Sequence, residues 1–343
     1  MNEKLFFTSV ARISDLREAP FEVRSISREE WEMGDYVVTE VTESVSRRIV
    51  ELSTGRVIEV AEGDMLVGAF GRREATLEAT GDWSRIGDDG ACEILSGGGL
   101  IGREVSRSML EPPLIHLRYR GHPTRRGVKV TTHDFVPACE PRRFELPVLL
   151  IVGTSMSAGK TTTARLLIRQ LKLLAPLRVI GAKLAGAARY RDALSMKDAG
   201  ADFIFDFVDA GLPSTVCPEE LYRSRLENLL SRMAALEADV AVIELGASPL
   251  EPYNGALAYE TLKDNARLTV LCASDPYSVI GVMNAYGTEP DFVTGPASNT
   301  EAGVRLVEKL ADVRAVNLLD RRTRPALGRL LEEKLAGTLV QGT

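Results

Sequence analysis

Cysteine, histidine and tryptophan are scarce in this chain of 343 residues, which holds four, three and two of them. The cysteines (Cys92, Cys139, Cys217, Cys272) stand far apart with no C-x-x-C spacing, so neither a disulfide framework nor a zinc ribbon is encoded, and reduced thiols are the default. No apolar run approaches the ~20 residues of a membrane span. The N-terminal stretch MNEKLFFTSVARISD carries charges where a secretory signal needs an uninterrupted apolar core, so a cytoplasmic location without membrane contact is expected. The formal net charge of −6 contains no long block of one sign. That excludes a bulk basic surface for nucleic acid and points to small molecules as partners.

A length of 343 residues fits two domains at about 150 residues each. Residues 1–136 have a β texture. Short runs (Tyr36 to Val41, Arg48 to Leu52, Val57 to Val60, Met65 to Phe70, Ala75 to Ala79) are separated by turn signals such as Ser53-Thr54-Gly55 and Glu62-Gly63-Asp64, a spacing that suits a small barrel or sandwich. Ser96-Gly97-Gly98-Gly99 reads as a turn or bulge, with contact to a ligand backbone as the alternative. The three histidines, His116, His122 and His133, fall in one Arg-rich stretch and match no zinc signature. Alternation in LIHLRYR predicts Ile115, Leu117 and Tyr119 inward, with His116, Arg118 and Arg120 on a solvated face. A solvated hairpin face is the reading for this cluster, and metal binding or an anionic-substrate or interdomain role are the alternatives. Residues 137–146, rich in proline and charge, read as a linker, and 147–343 as the second domain.

The second domain opens on the chain's most informative stretch. From Leu149 to Thr163 it reads LLIVGTSMSAGKTTT: an apolar run, a Gly/Ser turn, then a segment with Ala164, Leu167, Leu171 and Leu174 on one helical face. Gly159-Lys160-Thr161 ends a Walker A pattern whose first glycine, Gly153, stands one residue early, giving G-x5-GKT. A buried strand feeding a helix N-terminus gathers backbone N–H groups on phosphate oxygens. The residues expected to touch a nucleotide are therefore Gly153, Thr154, Ser155, Met156, Ser157, Ala158, Gly159, Lys160, Thr161 and Thr162, with Lys160 on the β and γ phosphates and Thr161 on Mg²⁺.

Beyond this loop the pattern alternates strand and helix. Strands are expected at Leu177 to Lys183, Phe203 to Phe207, Val240 to Glu244, Leu268 to Cys272, Phe292 to Val293 and Ala315 to Leu318. Near-continuous apolar strands of this kind predict a mainly parallel sheet, covered on both faces, with ligands at its carboxyl edge. Two of these strands end in chemistry. Lys183 closes LRVIGAK, where an ammonium can hold an anionic substrate or a migrating phosphoryl group. Glu244 closes VAVIE as a Walker B-like acid, serving the metal or acting as a base. Asp206 and Asp209 are weaker candidates beside a turn.

The loop GTSMSAGKTTTA resembles the GTDTxVGKT loop of dethiobiotin synthetase, including the extra residue between its glycines. VIGAKLAG and VIELGASPLEP are similar to that family's lysine-ending second strand and VEGAGG-type segment. The loop also resembles the domain of unknown function 1611 family, in which an N-terminal domain precedes such a module and some members are implicated in N-acylation of D-glutamate. The resemblance implies an α/β P-loop NTPase domain behind a smaller β-rich domain. It implies Lys160 and Thr161 on phosphates and Mg²⁺, Lys183 on the substrate and Glu244 on Mg²⁺. Two positions depart: the loop aspartate of the synthetase is Ser155 here, and the serine after its second-strand lysine has no counterpart in Ala185 to Ala188.

The expectation is thus an ATP- and Mg-dependent ligase that phosphorylates a small carboxylate-type substrate for amide or N-acyl bond formation, with Lys160, Lys183 and Glu244 as catalytic residues. A switch-type ATPase or a small-molecule kinase is the alternative. The sequence lacks the early loop lysine common in partition ATPases and an NKxD-like guanine motif. A homo-oligomer is expected. Specificity falls to Ala185 to Asp192, Pro249 to Gly255 and the first domain.

Overall fold

The computed structural model describes residues 5–43, 49–287 and 289–339. Two compact units emerge, and they do not follow a single cut in the chain. The first takes Met1–Ala138 with Ala187–Arg191 and Phe207–Arg225, and the second takes Cys139–Gly186, Asp192–Asp206 and Leu226–Thr343. No helix among the described residues is long and apolar enough to cross a membrane.

In the first unit, five strands pair in a closed circuit: Met65–Phe70, Tyr36–Glu43, His116–Arg125, Ala91–Ser96 and Leu100–Arg107, the last returning to the first through a short parallel pairing. Inward residues of these strands, among them Val37, Leu66, Phe70, Ile94, Ile101 and Leu117, make one apolar cluster. Ser96-Gly97-Gly98-Gly99 is the turn between two of them. Two expectations need correction here. Residues 75–78 form the turn between strands Arg72–Glu74 and Ala79–Asp82, because Glu78 N–H bonds Ala75 carbonyl and Leu77 faces solvent, 64% exposed. His122 is not on a solvated face. The alternation holds through Arg120, but the ladder shifts register between Tyr119 and Gly121, and this bulge turns the next side chain inward. His122 is fully buried, 3.3 Å from the buried Asp35 carboxylate. Arg48, expected to open a strand, lies outside the described residues, and that strand runs Ile49–Glu51.

The second unit is α/β. Its sheet has six strands, in spatial order Phe203–Asp206, Val179–Ala185, Val240–Leu245, Val148–Gly153, Ala266–Cys272 and Phe292–Thr294, and every pairing is parallel. Val148 to Val152 is buried throughout, as a strand covered on both sides requires. Residues 315–318 add no strand: a single bridge joins Ala315 to Val293, and the chain then turns at Asn317 to Asp320. A helix over Tyr190–Asp198 occupies the region expected to be a plain connection.

Side chains alternate across each strand, and the parity here decides the chemistry. Leu149, Ile151, Val179, Val240 and Val242 share the core that covers Leu167, Ile168 and Leu171 of the helix after the loop (Lys160–Leu174). Further along the same parity stand Lys183, four residues past Val179, and Glu244, two past Val242. The ladder pairs Lys183 with Glu244 on one side and with Asp206 on the other. One rung at the carboxyl edge therefore carries acid, base and acid, on the face that the loop helix covers.

Candidate functional site

The strand Val148–Gly153 ends in a turn, and the helix begins at Lys160. Gly159, its N-cap, has φ +94°, a left-handed conformation that glycine adopts without the strain of a side chain. The first N–H groups of this helix have no intrahelical acceptor and carry the positive end of its dipole. Threonine hydroxyls of the first turn stand beside them: Thr161 is half-buried and Thr162 exposed, as is Ser157 in the turn.

Lys160 is buried, 1% exposed, and its ammonium donates to the carbonyls of Ser155 at 2.5 Å and Met156 at 3.3 Å. The stem runs across Gly153, where a Cβ would stand 2.7 Å from Lys160 Cδ and 2.9 Å from its Nζ. Burial pushes the Lys160 pKa down, with Glu244 opposing that shift. The loop is also tied to the neighbouring strand end. Thr154 N–H bonds the Cys272 carbonyl at 3.0 Å, and the Ser274 hydroxyl lies 2.7 Å from Ser155 Oγ and 3.3 Å from Thr154 Oγ1. Ser155, which stands where the resembled loop has aspartate, thus pairs with another hydroxyl.

Glu244 is 2% exposed and accepts a hydrogen bond from Thr161 Oγ1 at 3.0 Å. Burial raises its pKa, and Lys183 and Lys160 act in the opposite sense. Lys183, 6% exposed, donates to Asp192 Oδ2 at 2.5 Å. Burial disfavours its charge, but Asp192 and Glu244 outweigh that and raise its pKa. Asp206 is buried on the same rung. Asp209 belongs elsewhere: it forms an ion pair with Arg12 at 2.8 Å in the first unit.

The structure thus brings Lys160, Thr161, Lys183, Glu244 and Asp206 to one edge of the sheet. Sequence reading missed two members. Asp192 carried a signal, an acid nine residues after Lys183 within a segment expected to set specificity. Ser274 carried only its position just past a buried strand, in Cys272-Ala273-Ser274. Among the described residues no three His, Cys, Asp or Glu side chains gather as a metal site. A divalent ion here would draw on one carboxylate, a hydroxyl, phosphates and water, which is the donor set Mg²⁺ favours.

Comparison with known proteins yields likeness to solved structures alone. No protein-family model matches the chain, so the two family resemblances stand on their motif residues, and no curated protein matches it either. A crystal structure of HypB from Helicobacter pylori in complex with nickel is similar over 57% of this chain and 89% of its own, at 17% identity and a TM-score of 0.37. The signal recognition particle 54 kDa protein of Aeropyrum pernix K1 in complex with GDP is similar over 59% of this chain and 50% of its own, at 20% identity and a TM-score of 0.31.

Proposed function

We propose that the second unit binds a nucleoside triphosphate with Mg²⁺, ATP in the absence of a guanine-recognition motif, and cleaves its terminal phosphoryl bond. The observation that carries this reading is the bond from Thr161 Oγ1 to Glu244, made at the N-terminus of the helix that Lys160 opens. The loop offers backbone N–H groups to phosphate oxygens, and Lys160 exchanges the carbonyls of Ser155 and Met156 for the β and γ phosphates. Thr161 and Glu244 would hold Mg²⁺, directly or through water. The ion supplies charge neutralisation on the transferring phosphoryl group. Glu244, buried and raised in pKa, orients the attacking water and accepts its proton.

The acceptor in this reading is water, which makes the protein a switch-type ATPase. Lys183 supports it, because Asp192 already neutralises that ammonium. An ATP-dependent ligase is the second reading, favoured by the shared rung of Lys183 and Glu244. A small anionic carboxylate would then displace Asp192 and receive the phosphoryl group, and an amine would complete the amide.

Product analysis on purified protein tests both. Steady ADP and phosphate release from ATP alone supports the switch. Release that requires both an acid and an amine supports the ligase, and a stable phosphorylated product identifies a kinase. Undiminished ATP affinity and turnover in Lys160→Ala would overturn all three.

A further inference from the structure

The first unit holds a cavity of about 240 Å³ with four arginines in its wall: Arg73, Arg107, Arg189 and Arg191. Its acids are largely committed. Glu78 pairs with Arg73. Glu51 accepts from Ser9 Oγ at 2.6 Å and from the backbone N–H groups of Tyr190 and Arg191 at 2.7 and 2.5 Å. Glu111 meets Arg107 through its backbone carbonyl. The guanidinium groups of Arg189 and Arg191, both exposed, have no carboxylate partner among the described residues. Within the wall, Arg73 Nε and Arg107 Nε are buried without a hydrogen-bond acceptor, the latter 3.5 Å from Glu104 Oε2. These two nitrogens present no surface to the cavity, and Arg73 and Arg107 are already held by Glu78, the Leu95 carbonyl and the Glu111 carbonyl, so the positive charge open to a ligand is that of Arg189 and Arg191.

Ile49, Val57, Ile94, Pro113 and Ile115 give the cavity an apolar side. A bare inorganic anion would leave that side uncovered. We infer that the cavity binds a small organic acid, its carboxylate on the arginines and its apolar body on the strand side. Guanidinium forks match a carboxylate through paired N–H bonds. At about 10–15 Å³ of such space for one water, the cavity is large enough for a small branched-chain acid. All these residues belong to the first unit, so the inference does not rest on the ATP reading.

Isothermal titration of the full chain tests it with 4-methylpentanoate, its neutral amide and inorganic phosphate as probes. The acid should bind, with the amide and phosphate weaker by about tenfold or more, the difference expected when a charge-assisted pair is lost. Arg189→Ala/Arg191→Ala should weaken the acid by about tenfold at unchanged Tm, since both side chains are exposed. Phosphate binding as tightly as the acid, an acid that gives no heat, or equal affinity in the double variant would overturn the inference.

Discussion

Thr161 Oγ1 and the Glu244 carboxylate are joined at 3.0 Å, linking the first turn of the loop helix to the end of a buried strand. In the proposed mechanism this pair serves the metal and the attacking water. Glu244→Gln keeps the size and the acceptor for Thr161 but loses the base. Hydrolysis should fall about 10²–10⁴-fold, the usual contribution of a positioned general base. Phosphate release measures that fall, and titration with a non-hydrolysable analogue at saturating Mg²⁺ separates it from any loss of metal binding. A rate within about threefold of the parent would remove Glu244 from this role.

Gly153→Ala probes the loop from beneath. Its Cβ would stand 2.7 Å from Lys160 Cδ, and Lys160 is buried, so the lysine stem must move. Overpacking of this kind costs about 1–3 kcal/mol. The loss should appear mainly as weaker nucleotide binding with the far-ultraviolet circular dichroism unchanged. A variant that binds nucleotide normally would mean that Lys160 need not hold its present course.

Lys183 and Asp192 should behave as one unit. Asp192→Asn alone leaves a buried ammonium beside Lys160, and breaking such a pair costs about 3–5 kcal/mol. Lys183→Met/Asp192→Leu removes both charges and should cost less than the sum of the single changes. Urea unfolding of the parent, Lys183→Met, Asp192→Leu and the double variant gives the coupling energy. Additive effects would mean that solvent, not each partner, satisfies these groups.

His133 gives the first unit a pH dependence. Burial, with the Arg225 guanidinium 3.2 Å from Nδ1, holds its pKa below the ordinary value of 6.5. Arg225 donates, so Nδ1 is the acceptor and the folded state keeps the ring neutral. Its contribution to stability is present above pH 6.5 and is lost as pH falls through the lowered folded value. Urea midpoints at about pH 7.5 and about pH 5.5 should differ, and His133→Gln should narrow that difference. An unchanged difference would assign the slope to other groups.

The second unit was legible where a pattern had one physical cause. The run Val148 to Val152 is apolar at every position because both faces of that strand are covered, and G-K-T follows at the turn where the strand gives way to the helix. Asp192 was less legible: its helix is short, and the apolar stripe of Ala193 and Met196 marks the buried face without singling out the acid beside it. Ser274 had no pattern at all, since hydroxyls past a strand end are common. His122 followed the alternation in sequence and broke it in space, because the bulge at Gly121 leaves no mark that distinguishes it from an ordinary glycine in a strand.

The rung of Asp206, Lys183 and Glu244 also makes insertions and deletions informative. Side chains change face with every residue of a strand, so removing one residue between Val179 and Lys183 would carry the ammonium to the opposite side of the sheet while leaving the composition of the strand nearly intact. Deletion scanning along Val179–Lys183 should therefore give loss at odd steps and partial recovery at even ones, a two-residue rhythm that substitution scanning cannot produce.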